Sequence, residues 1–409
     1  MVSAIAPRSG PEAGGTVVAV SGANFSDARQ VRFGGAPATR FTVAANGSLS
    51  AVAPAGAGIE DVTVSTAAGT SPTTTADRFT YVAGGAPGAS GETWEGLSAQ
   101  NPLPGDRRFG SDLSPFNMPV AASPTLPNSA AMVSYLLAHE GTPATHHRGG
   151  GTTGSRPMFY ASNSDPVLTI ETSGAGILPL NGRKIHVPPF AKPEQYSDGH
   201  MTIVLAPADA VIPGEALDFY QTSIGAGKLK AASVADVQMG PTGSLLAEQG
   251  GGSGDAAYFG LQAGMVRAPE LRAGTINHAL VAVVSGISTK TVYPAIVGDG
   301  SSTDPNAPPM GQRFVLDYTE SEVENMGFKP WKVAVLKALI HYGFYVGDSS
   351  GEQMQLEWEG STTYPNVPEP FAAIGAEQGV PYSGGDYEFN LAEGVDWSRL
   401  RAVAPPAGL

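Results

Sequence analysis

Acidic residues and histidines near the ends of predicted strands are the side chains best suited to chemistry. Asp198 and His200 lie in a turn before an apolar strand, Asp218 precedes two aromatic residues, His278 opens another apolar strand, and Asp299 lies in a glycine-rich turn. If the first four met in one cleft, with carboxyls within about 10 Å, they could act as general acid and base on a glycan, or bind a cation. Asp and His also suit turns and strand ends for structural reasons, and this is the interpretation we favour.

Three further motifs carry weaker signals. His146 and His147 are adjacent, so on an extended strand they point to opposite sides and make a poor pair of metal ligands. Residues 347–351 match G-x-S-x-G, but a strand-like segment follows, so a hairpin turn explains the motif better than a nucleophile elbow. The glycine runs at 149–151 and 250–252 lack a phosphate-binding context. We therefore expect no catalytic residues, no bound metal and no cofactor.

Aromatic residues in loops or at strand edges are the candidates for ligand binding. Trp94, Trp358, Tyr364 and Tyr382 fall in such segments, near polar residues. An exposed aromatic ring can stack on a sugar, although a tryptophan in a β-rich domain more often lies in the core. Trp331, on the apolar stripe of a predicted helix, is assigned to the core.

Periodicity predicts short strands with a few helices between them. A helix is expected over 130–139, a helical turn over 267–274, a helix over 330–342 that opens with Pro330, and a short helix over 256–265. Strands are expected over 158–161, 167–172, 184–187, 201–206, 278–284, 313–317 and 356–358. The fold class is mainly β: an N-terminal Ig-like β-sandwich, then a larger sandwich or jelly-roll-like domain with two or three flanking helices.

The chain divides where its composition changes. Residues 82–91 contain only Val, Gly, Ala, Pro and Ser, which is typical of a flexible hinge. We expect a small domain over 1–83, a linker over 84–93 and a large β-rich domain over 94–409.

Composition limits the possible functions. Only 15% of the 409 residues are charged, against about 25% in ordinary globular chains, and the 53 glycines and 34 prolines indicate many turns. The chain has no cysteine, which excludes disulfides and thiolate metal sites. The net charge of −14, without a basic run, argues against nucleic-acid binding, and no apolar stretch predicts membrane insertion.

The N-terminal segment resembles a known family. Short alternating segments at 16–20, 31–33, 41–43, 61–64 and 79–81 predict a small antiparallel sandwich. The letters P-x-x-G-P-x-x-G-G-T-x-V-x-V-x-G-x-N-F from Pro7 to Phe25, V-x-F-G from Val31 to Gly34, and F-T-Y from Phe79 to Tyr81 are similar to the IPT/TIG domain. The resemblance implies an Ig-like fold. Such domains occur in adhesins, receptors, glycan-acting enzymes, transcription factors and phage virion proteins.

The rest of the chain shows a fainter likeness to uncharacterised surface or virion proteins of actinobacteria and their phages, carried by segments such as DGHMTIV and LRAGTINHALVAVV. No basic and apolar leader is visible at the start. We therefore expect a non-catalytic virion protein, a minor tail or surface component that makes assembly contacts or recognises host cell-wall glycan. Its expected partners are virion proteins and copies of itself. The alternatives are a glycan hydrolase or lyase, and an extracellular bacterial adhesin.

Overall fold

The structure is a computed structural model. It describes residues 2–6, 9–11, 17–38, 40–43, 49–82, 97–98, 102–112, 114–120, 123–140, 146–149, 156–173, 180–194, 198–240, 243–247, 255–349, 354–360, 363, 370–383 and 386–405. The chain forms two compact units, Met1–Glu92 with Pro406–Leu409, and Thr93–Pro405. The linker expected at 84–93 lies outside the described residues.

Where the structure describes the N-terminal unit, ten strands form two sheets, the first ordered β1-β3-β7-β6 and the second ordered β2-β10-β8-β4-β5, with β9 paired to β8. The strands are β1 (Val2–Ala6), β2 (Ser9–Pro11), β3 (Val17–Gly22), β4 (Gln30–Phe33), β5 (Ala36–Pro37), β6 (Arg40–Val43), β7 (Leu49–Val52), β8 (Gly58–Thr66), β9 (Gly69–Thr70) and β10 (Arg78–Val82). Alternation along the strands fills the core: Val62 and Val64 of β8 are buried. Phe79 packs edge-on against Phe33 and Tyr81 at ring distances of 5.2 and 5.1 Å. The expected Ig-like sandwich is confirmed.

In the described residues of the large unit, sixteen strands form four sheets, ordered β12-β15-β16-β19, β14-β13-β18-β17, β23-β20-β22-β21-β26 and β11-β25-β24. The strands are β11 (His146–Gly149), β12 (Met158–Tyr160), β13 (Val167–Thr172), β14 (Lys184–His186), β15 (Met201–Val204), β16 (Glu215–Tyr220), β17 (Ser223–Gly225), β18 (Lys228–Ala231), β19 (Ser233–Gln238), β20 (Leu280–Val284), β21 (Arg313–Leu316), β22 (Phe344–Ser349), β23 (Gln355–Leu356), β24 (Tyr382–Ser383), β25 (Asp386–Asn390) and β26 (Leu400–Val403).

Five helices accompany these sheets among the described residues: α1 (Ser129–Glu140), α2 (Ala268–Ala273), α3 (Glu320–Asn325), α4 (Pro330–His341) and α5 (Pro370–Gln378). The three stronger helix predictions correspond to α1, α2 and α4, and Trp331 of α4 is buried as predicted. The helix predicted over 256–265 is wrong, because that segment forms turns and bridges. α3 and α5 were not predicted.

The β12-β15-β16-β19 sheet lies between two apolar cores. Ile203 and Leu217 face one core together with Ile170 of the neighbouring sheet. Val204 and Ala216 face the other core, which contains α4 and the sheet around β20. A sheet that is buried on both faces has mainly apolar residues on either side, which explains why residues 201–206 are apolar except for Thr202.

The hairpin expected at 347–351 is also wrong. Gly347, Asp348 and Ser349 end β22, but β22 does not pair with β23, because β20 lies between them. β20 pairs in parallel with β22 and antiparallel with β23. Residues near the ends of β22 and β23 are therefore held on either side of β20.

Candidate functional site

A buried arginine, Arg156, is the centre of the candidate site. Its backbone N–H donates to the carbonyl of Trp358 at 2.8 Å, which fixes it just before β12. Its guanidinium lies 2.8 Å from Glu357 Oε1, 3.5 Å from Asp348 Oδ2 and 3.6 Å from Glu194 Oε1. Three carboxyl groups thus surround one cation.

The topology explains why these groups meet. Asp348 is near the end of β22, and Glu357 directly follows β23, on the other side of β20. β12, which begins just after Arg156, pairs in parallel with β15, and the loop before β15 carries Glu194. Two sheets therefore supply the carboxyls around the arginine.

The site holds more carboxyl groups than cationic groups. Besides its three contacts, Arg156 interacts electrostatically with Asp255 and Asp218. Burial would lower the pKa of Arg156, but its carboxylate neighbours, with Glu357 foremost, raise it above its ordinary value, so the guanidinium stays charged. One cation therefore faces five carboxyl groups in a region of low polarity.

Burial disfavours ionisation of these carboxyls. It raises the pKa of Asp348 to about 6, although Arg156 acts in the opposite direction. Burial likewise raises the pKa of Glu194 to about 7, and the pKa values of Asp255 and Glu357 lie above their ordinary range for the same reason. Clusters of shifted carboxyls are typical of functional sites.

Glu194, Asp198 and His200 form a smaller group beside Arg156. One potential ligand atom from each lies within 4.8 Å of the others. The backbone N–H of His200 donates to Glu194 Oε1 at 3.3 Å, and the ring nitrogen His200 Nε2 is 3.8 Å from the same oxygen. Asp198 is exposed, whereas the other two side chains are buried. The structure thus brings together two of the predicted site residues, Asp198 and His200, with a third that sequence analysis missed.

Asp218 lies in an interior hydrogen-bond network. One of its carboxylate oxygens accepts from the Thr202 hydroxyl, and the other accepts from the Leu261 N–H at 2.7 Å. Gln262 donates to the same Thr202 hydroxyl. Burial raises the pKa of Asp218 to about 6. Because both oxygens are bonded to the protein and the residue is buried, Asp218 is positioned to support the strands rather than to meet a ligand.

His278 belongs to a different cluster. Its Nε2 is 2.9 Å from Glu270 Oε1, and its Nδ1 is 2.9 Å from the Ala279 carbonyl. Arg267 Nη2 donates to the same Glu270 oxygen at 2.8 Å. In the described part of the chain, the contacts of His278 share no residue with those of His200, so they do not join His278 to Asp198 and His200, and the hypothesis of one cleft with Asp218 and His278 stays a prediction.

Asp299 joins the Arg156 site through a neighbour. Its Oδ2 accepts from the Ser349 hydroxyl at 2.5 Å, and the Ser349 N–H donates to Asp348 Oδ1 at 2.8 Å. Asp299 is exposed, whereas Asp348 is largely buried. The turn residue and the G-x-S-x-G segment thus contribute to one acidic edge.

The aromatic candidates have different positions. Trp358 is 2% exposed and packs against Phe371 and Phe389 at 5.8 Å, so it is a core residue and cannot stack on a sugar. Tyr382 is 63% exposed, with its ring 4.9 Å from that of Tyr387. Trp94 and Tyr364 lie outside the described residues. Of the four, Tyr382 alone is placed by the structure at the surface.

Sequence reasoning missed Arg156, Glu194, Asp255, Asp348 and Glu357. One signal was present: Glu357 lies between apolar residues in the segment QLEWE, where an ordinary buried strand would not place an acid. Arg156 follows a glycine-rich loop and carries no comparable signal.

The class of the N-terminal unit follows from its two sheets: it is an Ig-like sandwich. More narrowly, it is an IPT/TIG domain, since residues 1–81 match the family model with that description. No curated protein matches the chain at a significant level. In the described part of the chain, no helix is long and apolar enough to cross a membrane.

Proposed function

We propose that the large unit is a glycan-acting hydrolase or lyase, with its acid–base centre at the acidic edge beside Arg156, and that the IPT/TIG domain is its accessory module. The observation that carries the proposal is the excess of buried carboxyls around one arginine, with Asp348 near the surface. Burying unbalanced charge opposes folding, so such an arrangement is better explained by chemistry than by stability.

Asp348 is the proton donor in this proposal. Its side chain is 20% exposed, so a substrate oxygen can reach it. Burial raises its pKa to about 6, close to neutral pH, where a carboxyl can both give and accept a proton. Arg156, Glu357, Asp255 and Asp299 are the charged groups that act on it.

Asp299 is the second carboxyl. It is exposed and bonded to the Ser349 hydroxyl, whereas Asp348 is largely buried against Arg156. Two neighbouring carboxyls in unlike environments are the arrangement by which glycosidases separate an acid from a base or nucleophile. Ser349 bonds to a carboxylate here, which argues against a serine nucleophile activated by histidine.

The net charge of the chain indicates which class of glycan it would accept. A chain with a net charge of −14 repels polyanions, so a neutral cell-wall or storage glycan is the favoured substrate. IPT/TIG domains accompany some secreted glycan-acting enzymes, which agrees with this assignment.

The test is an assay of the full chain on a panel of neutral polysaccharides, measuring new reducing ends and unsaturated products. Asp348→Asn is expected to lower kcat at least about 100-fold with little change in KM, because it removes a proton-transfer group. Asp317→Asn, at an exposed carboxylate paired with Arg401, is the matched control and is expected to keep full activity. Turnover by Asp348→Asn at the wild-type rate, or no product on any glycan, would overturn the proposal.

A second candidate is the non-catalytic role in a virion or at a cell surface, with contacts to virion proteins, to copies of the chain or to host glycan. Exposed apolar side chains favour it: Ile59 is 62% exposed and Val211 is 84% exposed. Mass spectrometry and immuno-electron microscopy of particles from a producing culture test this role. Sedimentation of the purified chain as a monomer, together with its absence from particles, would exclude it.

A further inference from the structure

Glu194, Asp198 and His200 present ligand atoms at nearly the spacing that one cation requires. Their potential ligand atoms all lie within 4.8 Å of one another. Two atoms bound to one ion at about 2.0–2.2 Å are up to about 4.4 Å apart, so small side-chain rotations suffice to close the set around an ion.

Two buried atoms in this group lack hydrogen-bond partners among the described residues. They are Glu194 Oε2 and His200 Nδ1, on residues that are 6% and 3% exposed. A buried polar atom without a partner opposes folding. Glu194 Oε1, by contrast, accepts from the His200 N–H. The free oxygen and the free ring nitrogen are an independent indication that a ligand completes this site.

The backbone holds the three residues in place. Gly199 adopts a φ of +50°, which suits glycine, and puts exposed Asp198 and buried His200 on either side of one tight turn. The Gln221 N–H donates to the Asp198 carbonyl at 2.6 Å, and the Thr222 N–H donates to the Gly199 carbonyl at 3.2 Å. The turn is thus tied to the segment after β16, and exposed Asp198 gives an ion a path from solvent.

Local charge favours a cation in spite of the nearby arginine. Arg156 Nη1 is 3.6 Å from Glu194 Oε1, but Arg156 Nη2 is 2.8 Å from Glu357. Glu357 therefore offsets the arginine, and the carboxyl groups of Glu194 and Asp198 remain for the ion.

We propose that Glu194, Asp198 and His200 bind one divalent transition-metal cation, Mn²⁺ or Zn²⁺. The imidazole nitrogen determines this choice, because Ca²⁺ and Mg²⁺ prefer oxygen ligands throughout. The site differs from the carboxyl pair Asp348 and Asp299, and the inference does not depend on glycan turnover. A metal at this site contradicts the expectation of no bound metal, because the sequence alone does not indicate Glu194 as a ligand.

The experiment uses the full chain, without a histidine tag, stripped with a chelator and titrated with Mn²⁺ by electron paramagnetic resonance and calorimetry. One Mn²⁺ per chain is expected, displaced by Zn²⁺, with nitrogen hyperfine coupling from the imidazole. His200→Gln is expected to abolish the nitrogen coupling, and Asp198→Asn, at an exposed position, to weaken binding at least about tenfold. His341→Ala, which alters an exposed histidine paired with Glu320, is the matched control and leaves binding unchanged.

A second control replaces the two consecutive histidines, with His146→Ala and His147→Ala, and metal binding is expected to stay unchanged. No stoichiometric binding at millimolar Mn²⁺ or Zn²⁺ would overturn the proposal, as would binding that neither Asp198→Asn nor His200→Gln weakens. Ca²⁺ binding as tightly as Mn²⁺ would overturn the imidazole ligation. Because the readout is metal binding, a positive result stands even if every glycan assay is negative.

Discussion

Two of the buried arginines in the large unit, Arg156 and Arg267, have different charge balance. Arg267 and Glu270, each 1% exposed, form an ion pair at 2.8 Å, and His278 lies 2.9 Å from the same carboxylate oxygen. Burial would raise the pKa of Glu270, but Arg267 and His278 hold it below its ordinary value. Around Arg156, five carboxyls compete for one cation, and burial raises their pKa values.

The difference separates a structural ion pair from a candidate site. Arg267 also donates to the carbonyls of Leu103 and Arg107 at 2.9 and 2.6 Å, which ties the segment before α1 to α2. The Arg156 site, in contrast, reaches the surface through Asp348 and Asp198. Balanced charge in the interior stabilises one conformation, whereas unbalanced charge keeps reactive groups available.

The largest expected effect on stability is at the cluster of Arg267, Glu270 and His278. Glu270→Gln removes the ion-pair partner of the buried Arg267 guanidinium and leaves Glu359 as the remaining carboxyl that acts on it, so the free energy of unfolding should fall by about 3–5 kcal/mol. Urea denaturation at pH 7 measures this change. A loss below about 1 kcal/mol would mean that the two clusters do not differ in the way described.

The free energy of unfolding should also depend on pH through Asp218, one of the five carboxyls near Arg156. The pKa of Asp218 is raised to about 6 in the folded chain and is about 3.9 when unfolded. The folded state therefore binds more protons between these values, and the unfolding free energy should fall as pH rises from 4 to 6, by about 2–3 kcal/mol for this group. Asp218→Asn should flatten that slope in a series of urea titrations. An unchanged slope would contradict the shifted pKa.

At Asp348 we expect a smaller change in the free energy of unfolding, and a stabilising one, in contrast to the loss expected for Glu270→Gln. Above pH 7 its charge is unfavourable in the folded state, so Asp348→Asn should raise the unfolding free energy by about 1 kcal/mol at pH 8 and change it little at pH 4. Chemical denaturation at the two pH values checks this expectation. Destabilisation at pH 8 would place Asp348 with Glu270 as a structural partner.

The smallest effect concerns an exposed ion pair. Arg272 and Glu377 are 3.3 Å apart with half-exposed side chains. Glu377→Gln should change the unfolding free energy by less than about 0.5 kcal/mol, because solvent screens such pairs. This variant is the reference against which Glu270→Gln is judged, and a loss above about 1 kcal/mol would remove it as a neutral control.

The sequence predicted the elements better than the site. Strands such as β15 and β20, and the helix α4 that opens with Pro330, follow from local apolar patterns and proline geometry. The prediction of a short helix at 256–265 failed because side-chain and non-local bonds hold that segment: the Asp255 side chain accepts from the N–H groups of Ala257 and Phe259, and the Gly260 N–H donates to the distant Leu245 carbonyl.

The site depends on pairing between distant segments, which local patterns do not contain. Arg156 and Glu357 are 201 positions apart and meet because Arg156 bonds to the backbone of Trp358. Asp198 and His200 were found because an acid and an imidazole beside a glycine are recognisable in one turn. His278 looked similar, but its partner, Glu270, lies on α2, and the sequence did not reveal that contact.

Direct titration of the carboxyls tests the central claim, that the Arg156 cluster holds carboxyls with raised pKa values while the Arg267 cluster does not. Carbon-13 NMR of side-chain carboxyls, assigned with Asp348→Asn, Asp218→Asn and Glu270→Gln, follows each group from pH 3 to 8. The account predicts that Asp348 and Asp218 titrate near pH 6 and that Glu270 titrates below its ordinary range. If Asp348 and Asp218 instead titrate at ordinary values near pH 4, the contrast between the two clusters does not exist.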